Sequence, residues 1–191
     1  MNQKIFNVLM KRAPAQHPPE WRMFMEICGA HLERYKIHNP IVVELGIYNN
    51  HQKVFYEQLF GAEHIGIDVA RRRCHPDIHG NTHDPAVMER LKEKLRGRPI
   101  NILFIDACHS YEAVKMDFDL YSPLCSDIIA FHDLEFGKKV GKKKREVWKF
   151  WDKMKELSYV KTGEHKDFLF ISIYQHRNMV LQMGTGMIMK R

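Results

Sequence analysis

The sequence predicts an α/β fold: a mostly parallel central sheet flanked by helices, with an antiparallel C-terminal hairpin at its edge. Three observations predict it. Short β-branched apolar runs alternate with amphipathic helical segments along most of the chain. The run Ile41 to Leu45, a helical segment and the run His64 to Val69 follow one another within about thirty residues, the length of a βαβ unit, which implies parallel strands and a right-handed crossover. The chain of 191 residues and 22.7 kDa suits one domain, which buries roughly 70% of the surface its unfolded form exposes.

Taken in order, Pro19 to Tyr35 places Trp21, Phe24, Met25, Cys28, Leu32 and Tyr35 at helical spacing, and Pro18 and Pro19 supply a helix start. The first strand, Ile41 to Leu45, ends in Glu44-Leu45-Gly46. Gln52 to Phe60 reads as a helix stopped by Gly61, and His64 to Val69 as the second strand, carrying Asp68 near its end. Asp84 then caps a helix with Pro85 at its first position, and Ala86 to Arg96 runs to a Gly97 stop. Ile100 to Ile105 is the next buried strand. Ser110 to Tyr121 sets Tyr111, Val114, Phe118 and Tyr121 on one helical face until Ser122-Pro123 breaks it, and Ile128 to Phe131 is a further strand. Val147, Trp148, Phe150, Trp151 and Met154 build a last amphipathic helix. Phe168 to Tyr174 and Val180 to Met189 read as the hairpin.

Composition narrows the function classes. Hydrophobic residues at 45% and charged residues at 28% are globular values, which exclude integral membrane, collagen-like and disordered chains. No secretory signal is visible at Met1 to Arg12, so the expected location is the cytoplasm, with no membrane partner. Cys28, Cys74, Cys108 and Cys125 form no C-x-x-C pair, so reduced thiols are expected rather than a disulfide framework or zinc knuckle. A net charge of +7 points to an anionic partner. Much of that charge sits at Lys138, Lys139, Lys142, Lys143, Lys144 and Arg145, with a smaller run at Arg71 to Arg73; a solvated charge run is the plain reading of both.

In an open parallel sheet, ligands bind beyond the carboxyl ends of the strands. That rule selects Glu44-Leu45-Gly46, Asp68, Asp106-Ala107-Cys108-His109 and His132-Asp133. Neighbouring strands lie about 5 Å apart, so these groups converge on one crevice.

The run Asn101 to Lys115, which contains Phe104-Ile105-Asp106-Ala107-Cys108-His109-Ser110-Tyr111-Glu112, resembles the strand-four signature of the methyltransferase family 24 and cephalosporin-hydroxylase-like group of class I S-adenosylmethionine-dependent methyltransferases. Phe131-His132-Asp133 is similar to its strand-five ending, and Val42 to Gly46, Ile65 to Asp68 and Gly80 to Pro85 look like further motifs of that group. The resemblance covers about residues 40 to 151 and implies a Rossmann-like methyltransferase fold. It divides a single domain into an N-terminal helical lid over residues 1–38 and a core over residues 39–191.

It implies S-adenosylmethionine as cofactor, Glu44, Gly46 and Tyr48 in the cofactor turn, Asp68 on the ribose hydroxyls, Asn81 and Thr82 near the adenine, Asp106 as a further cofactor contact, and Gln52 below the methionine end. A carboxylate suits a diol because it offers two acceptor oxygens. The chain departs from the group after Gly46, where Ile47-Tyr48-Asn49-Asn50-His51 replaces further glycines; Asn49 and Asn50 are expected to keep the turn because Asn tolerates left-handed backbone. It departs again at Ala107-Cys108, where the group has Gly-Asp.

The same resemblance implies Asp106 and His109 as catalytic residues, with His109 the general base: an ordinary imidazole pKa of about 6.5 suits taking a hydroxyl proton at neutral pH. It also implies a divalent cation, Mg or Mn, on Asp106, His132 and Asp133. A metal-free arrangement in which His132 hydrogen-bonds Asp106 stands beside it. The expected reaction is methyl transfer to a hydroxyl of a small molecule, anionic or neutral. The alternatives are a binding module that has lost turnover, and an RNA-directed enzyme using the lysine run, against which the absence of N-P-P-Y and D-P-P-Y signatures counts. Asp84 is expected to be a cap, Tyr111 and Phe118 core, and Cys108 an inert thiol.

Overall fold

A computed structural model describes residues 2–12, 16–70, 75–135, 145–160, 168–173 and 183–190. The lysine run from Lys138 to Lys144, the Arg71 to Arg73 run, Cys74, and the hairpin positions Tyr174 and 180–182 lie outside these. Seven strands form one sheet in the order β3-β2-β1-β4-β5-β7-β6. They are β1 (Ile41–Leu45), β2 (Glu63–Asp68), β3 (Ile78–His79), β4 (Ile100–Ile105), β5 (Cys125–Phe131), β6 (Phe168–Ile173) and β7 (Thr185–Lys190). The first five pair in parallel; β7 runs antiparallel to β5 and β6. The C-terminal pair is thus a hairpin, and its second strand is the one that joins the sheet, through Phe131↔Gly186 to Ile128↔Met189.

Strand side chains alternate between two faces, and each face has its own helical layer. Val43, Leu45, Leu103 and Ile105 pack against α4 (Pro85–Leu95), α5 (Tyr111–Tyr121) and α6 (Val147–Val160), where Leu91, Val114, Tyr121 and Trp151 are buried. Val42, Ile102, Phe104 and Ala130 pack against α1 (Gln3–Leu9), α2 (Pro18–Arg34) and α3 (Lys53–Phe60). On this second face Trp21 stacks on Phe24 and meets Phe55, Tyr56 and Phe104 edge-on, with centroids 5.3 to 6.0 Å apart. Each such buried aromatic is worth about 2–3 kcal/mol.

The N-terminal helices expected as a lid are therefore mainly a core layer: α2 places an amphipathic face on the sheet, and Gln16, just before it, reaches the strand ends. Helix α1, not anticipated as an element, is capped by Asn2, whose side chain accepts from the Lys4 and Ile5 N–H groups. Strand β5 begins at Cys125 rather than Ile128, because its polar start is satisfied sideways. Asp127 accepts from Asn101 (3.0 Å) and pairs with His31 (3.0 Å). Asp84 caps α4 by accepting from Ala86 N–H, as expected.

Candidate functional site

Backbone pairing continues one residue past several strand ends. Gly46 N–H donates to Ile67 O (2.8 Å), Asp106 N–H to Leu45 O (2.8 Å) and His132 N–H to Ile105 O (3.2 Å). This brings the exits of β1, β2, β4 and β5 side by side around a cavity of about 710 Å³, within the usual range for ligand sites. Gly46, Tyr48, Asp68, Asn81, Thr82, Asp106, Cys108, His109, His132 and Asp133 all line it. Tyr48 stands on the wall, 54% exposed, and leaves the hollow open.

The β1 exit depends on glycine. Gly46 has φ +81°, and a Cβ there would lie 2.4 Å from the Asp106 carbonyl oxygen, so only glycine lets the two exits touch. In the following turn the left-handed positions are Tyr48 (φ 48°) and Asn50 (φ 58°); Asn49, also expected there, instead accepts from His51 N–H at 3.2 Å. Holding a tyrosine left-handed costs about 1–2 kcal/mol. Asp68 offsets this cost: its Oδ2 accepts from the Ile47 and Tyr48 N–H groups (2.9 and 3.3 Å), and its Oδ1 from Ala70 N–H (2.7 Å). A carboxylate has about four lone-pair positions, so Asp68 both braces the loop and keeps acceptor capacity toward the cavity.

On the other side of the cavity lies a dense ionic network. Asp106 Oδ1 accepts from His109 Nε2 (3.0 Å) and His132 Nδ1 (3.1 Å), and its Oδ2 from Gln16 Nε2 (3.2 Å). Burial pushes the Asp106 carboxyl up, but the two imidazoles outweigh it and hold the group below the usual carboxylate range. Burial likewise lowers His132, and Asp106 overrides it with help from Asp133 and Glu20, raising the imidazole to about 9. Asp133 Oδ2 accepts from Arg145 Nη1 and lies 3.6 Å from His109 Nδ1; Asp133 Oδ1 lies 3.5 Å from His132 Nδ1. His132 Nε2 is buried without a hydrogen-bond partner among the described residues.

Two expected residues are placed elsewhere. Glu44 does not line the cavity: β1 alternation turns its side chain to the α2–α3 face, where it is 0% exposed and bonded to His64 Nε2 at 2.9 Å. Gln52 is buried at the start of α3 and does not line the cavity either. Gln16, Glu20 and Arg145 are participants that sequence reasoning missed. Glu20, buried in α2, accepts from Gly184 N–H at 3.1 Å, and burial raises its carboxyl. His83 lines the cavity with Nε2 3.1 Å from buried Asp117. Among the described residues no helix is long and apolar enough to cross a membrane.

Residues 45–134 match a family model described as a methyltransferase domain, a stretch that holds all four strand exits. The match spans 90 of the chain's 191 residues, so the chain is similar to that methyltransferase family over this central stretch. The fold is similar to that of several solved structures. The MycE methyltransferase of the mycinamycin biosynthetic pathway, in complex with Mg, SAH and mycinamycin VI, matches with TM-score 0.66 at 14% identity, over 97% of this chain and 53% of that one. The chain thus spans about half of MycE's length. The O-methyltransferase TomG from Streptomyces achromogenes, in complex with SAM, matches with TM-score 0.59 at 10% identity over 100% of this chain and 90% of that one. An O-methyltransferase from Bacillus cereus, in complex with SAH, gives 0.62 at 9% identity, over 100% and 92%. At such identities the likeness concerns the fold. No curated protein matches the sequence.

Proposed function

We propose that this methyltransferase domain transfers a methyl group from S-adenosylmethionine to a hydroxyl of a small molecule. The observation that carries the reading is the convergence of Gly46, Asp68, Asp106, His109 and His132 on one cavity, in a sheet of this strand order. The names of TomG and the Bacillus cereus protein as O-methyltransferases support the choice of oxygen. The donor set fits the cofactor: a side-chain-free turn at Gly46, a carboxylate with acceptor capacity at Asp68, and the polar loop Asn81-Thr82 on the cavity wall. When bound, the cofactor supplies an electrophilic methyl on a sulfonium.

His109 is the general base in this reading. Its Nε2–H donates to Asp106, which leaves the lone pair on Nδ1 to take the acceptor's hydroxyl proton. Asp133, 3.6 Å from Nδ1, stabilises the positive charge that then forms on the ring. His132 and Arg145 add fixed positive charge beside the developing oxyanion. Holding the acceptor in line against the methyl supplies much of the remaining acceleration.

A divalent cation on Asp106, His132 and Asp133 does not fit this donor set. The His132 nitrogen that faces the carboxylates carries the proton of the bond to Asp106, and Arg145 already occupies Asp133. Among the described residues no group of three His, Cys, Asp or Glu side chains is arranged to hold a metal ion.

Calorimetric titration with S-adenosylmethionine tests the reading. One site per chain is expected, and Asp68→Ala should weaken it at least roughly tenfold while also lowering stability by about 1–3 kcal/mol, because three loop N–H groups lose their acceptor. No heat from the wild-type chain at millimolar cofactor would overturn it and favour a module without turnover.

A further inference from the structure

On the acceptor side of the site, three of the four carboxylate oxygens of Asp106 and Asp133 accept hydrogen bonds from within the chain. Asp106 Oδ1 takes two imidazole N–H groups, Asp106 Oδ2 the Gln16 amide, Asp133 Oδ2 the Arg145 guanidinium, and Asp133 Oδ1 faces His132 Nδ1 at 3.5 Å. These donors come from four places: the approach to α2, the β4 exit, the β5 exit and a position two residues ahead of α6. A hard divalent cation needs carboxylate oxygens with open lone pairs and neutral imidazole nitrogens. Here Asp106 already takes three N–H donors, Asp133 is paired with a guanidinium, and the His132 nitrogen that faces both carboxylates carries a proton.

We propose that Arg145 takes the place of a divalent cation on the acceptor side, neutralising Asp133 so that the site works as a metal-independent cationic wall. This rests on the methyl-transfer reading only for calling that side the acceptor side; the geometry stands without it. The guanidinium suits the task because it stays protonated at any working pH and bonds carboxylates through a fixed fork. Its side chain, 33% exposed, lines the cavity beside His109 and Asp133, so the acceptor meets N–H groups where a metal would offer an open coordination position. Arg145 thus faces the acceptor directly, and it also holds Asp133, which lies 3.6 Å from His109 Nδ1.

The probe is Mn²⁺ alone, titrated into the full chain without cofactor and followed by the loss of its free-ion electron paramagnetic resonance signal. This separates failure of the inference from failure of the methyl-transfer reading, which is tested by cofactor calorimetry. The wild-type chain should bind no Mn²⁺ tighter than about 1 mM. Arg145→Gln, which removes the charge and keeps most of the length, should gain Mn²⁺ affinity by roughly tenfold or more. Arg145→Lys should behave as wild type, because a point charge is restored. Arg145→Met repeats the test should the Gln variant melt early. The inference is overturned by a wild-type chain that binds one Mn²⁺ below that limit and loses it in Asp133→Asn. It is equally overturned by Arg145→Gln and Arg145→Met chains whose Mn²⁺ affinity stays at the wild-type level.

Discussion

Two carboxylate–imidazole pairs stand one strand apart in this molecule and behave oppositely. Glu44 and His64, on β1 and β2, are sealed: both side chains are 0% exposed, Glu44 Oε1 and His64 Nδ1 have no partner among the described residues, and burial drives the Glu44 carboxyl upward toward its neutral form. Asp106 and His132, at the exits of β4 and β5, have side chains 15% and 4% exposed, and there the carboxyl is pushed down and the imidazole up to about 9. The difference lies in the number of partners. A lone contact cannot repay two desolvated charges, whereas Asp106 has two imidazoles and an amide, and His132 has Glu20 and Asp133 nearby. Charge separation survives in the interior where several partners share it, and in this fold that place is the wall of the cavity.

The contrast can be broken most sharply at Asp106. Asp106→Ala strips the buried His132 imidazolium of its main counter-ion and should cost about 3–5 kcal/mol in urea unfolding at neutral pH. A loss below about 1 kcal/mol would mean that His132 is neutral and the two pairs are alike.

The next effect is a pH dependence. The folded-state value of His132, about 9, lies above the ordinary 6.5, so the folded chain holds this proton more tightly than the unfolded one. The resulting stability, about 3 kcal/mol, is fully present below pH 6.5 and is lost as pH rises through about 9. Urea midpoints taken between these limits should fall with rising pH, and His132→Asn should remove most of that slope; an unchanged slope would reassign it to other groups. Asp106 works at the opposite end, since its stabilisation is lost only as strong acid protonates it.

The smallest effect belongs to the sealed pair. Glu44→Gln replaces a carboxyl already pushed toward neutrality and should cost about 1 kcal/mol or less. A cost of about 3 kcal/mol would show the pair to be ionised.

How much of this was legible in sequence follows from where each residue's partners lie. β1 and β4 are readable because strands covered on both faces are apolar runs, and Ile41–Leu45 and Ile100–Ile105 sit where expected. β3 has two residues and no pattern to read, while the polar start of β5 resembles a turn until His31 and Asn101 are seen beside Asp127. The strand-end rule found Asp68, Asp106, His109 and His132 because topology alone collects them. It misplaced Glu44 because it locates a strand's end without saying which face a side chain takes. Gln16 and Glu20 were invisible because their partners stand 90 and 164 positions away. Arg145 is only 12 positions from Asp133 but was absorbed into the lysine run as ordinary surface charge.

The seating of β7 between β5 and β6 also bears on how the chain is made. The strand that fills this interior slot, Thr185–Lys190, is translated after all the others. Until it leaves the ribosome, β5 has an unsatisfied backbone edge, and β6 has nothing to pair with. A nascent or prematurely stopped chain ending before Thr185 therefore carries two bare strand flanks, which favour self-association and chaperone capture.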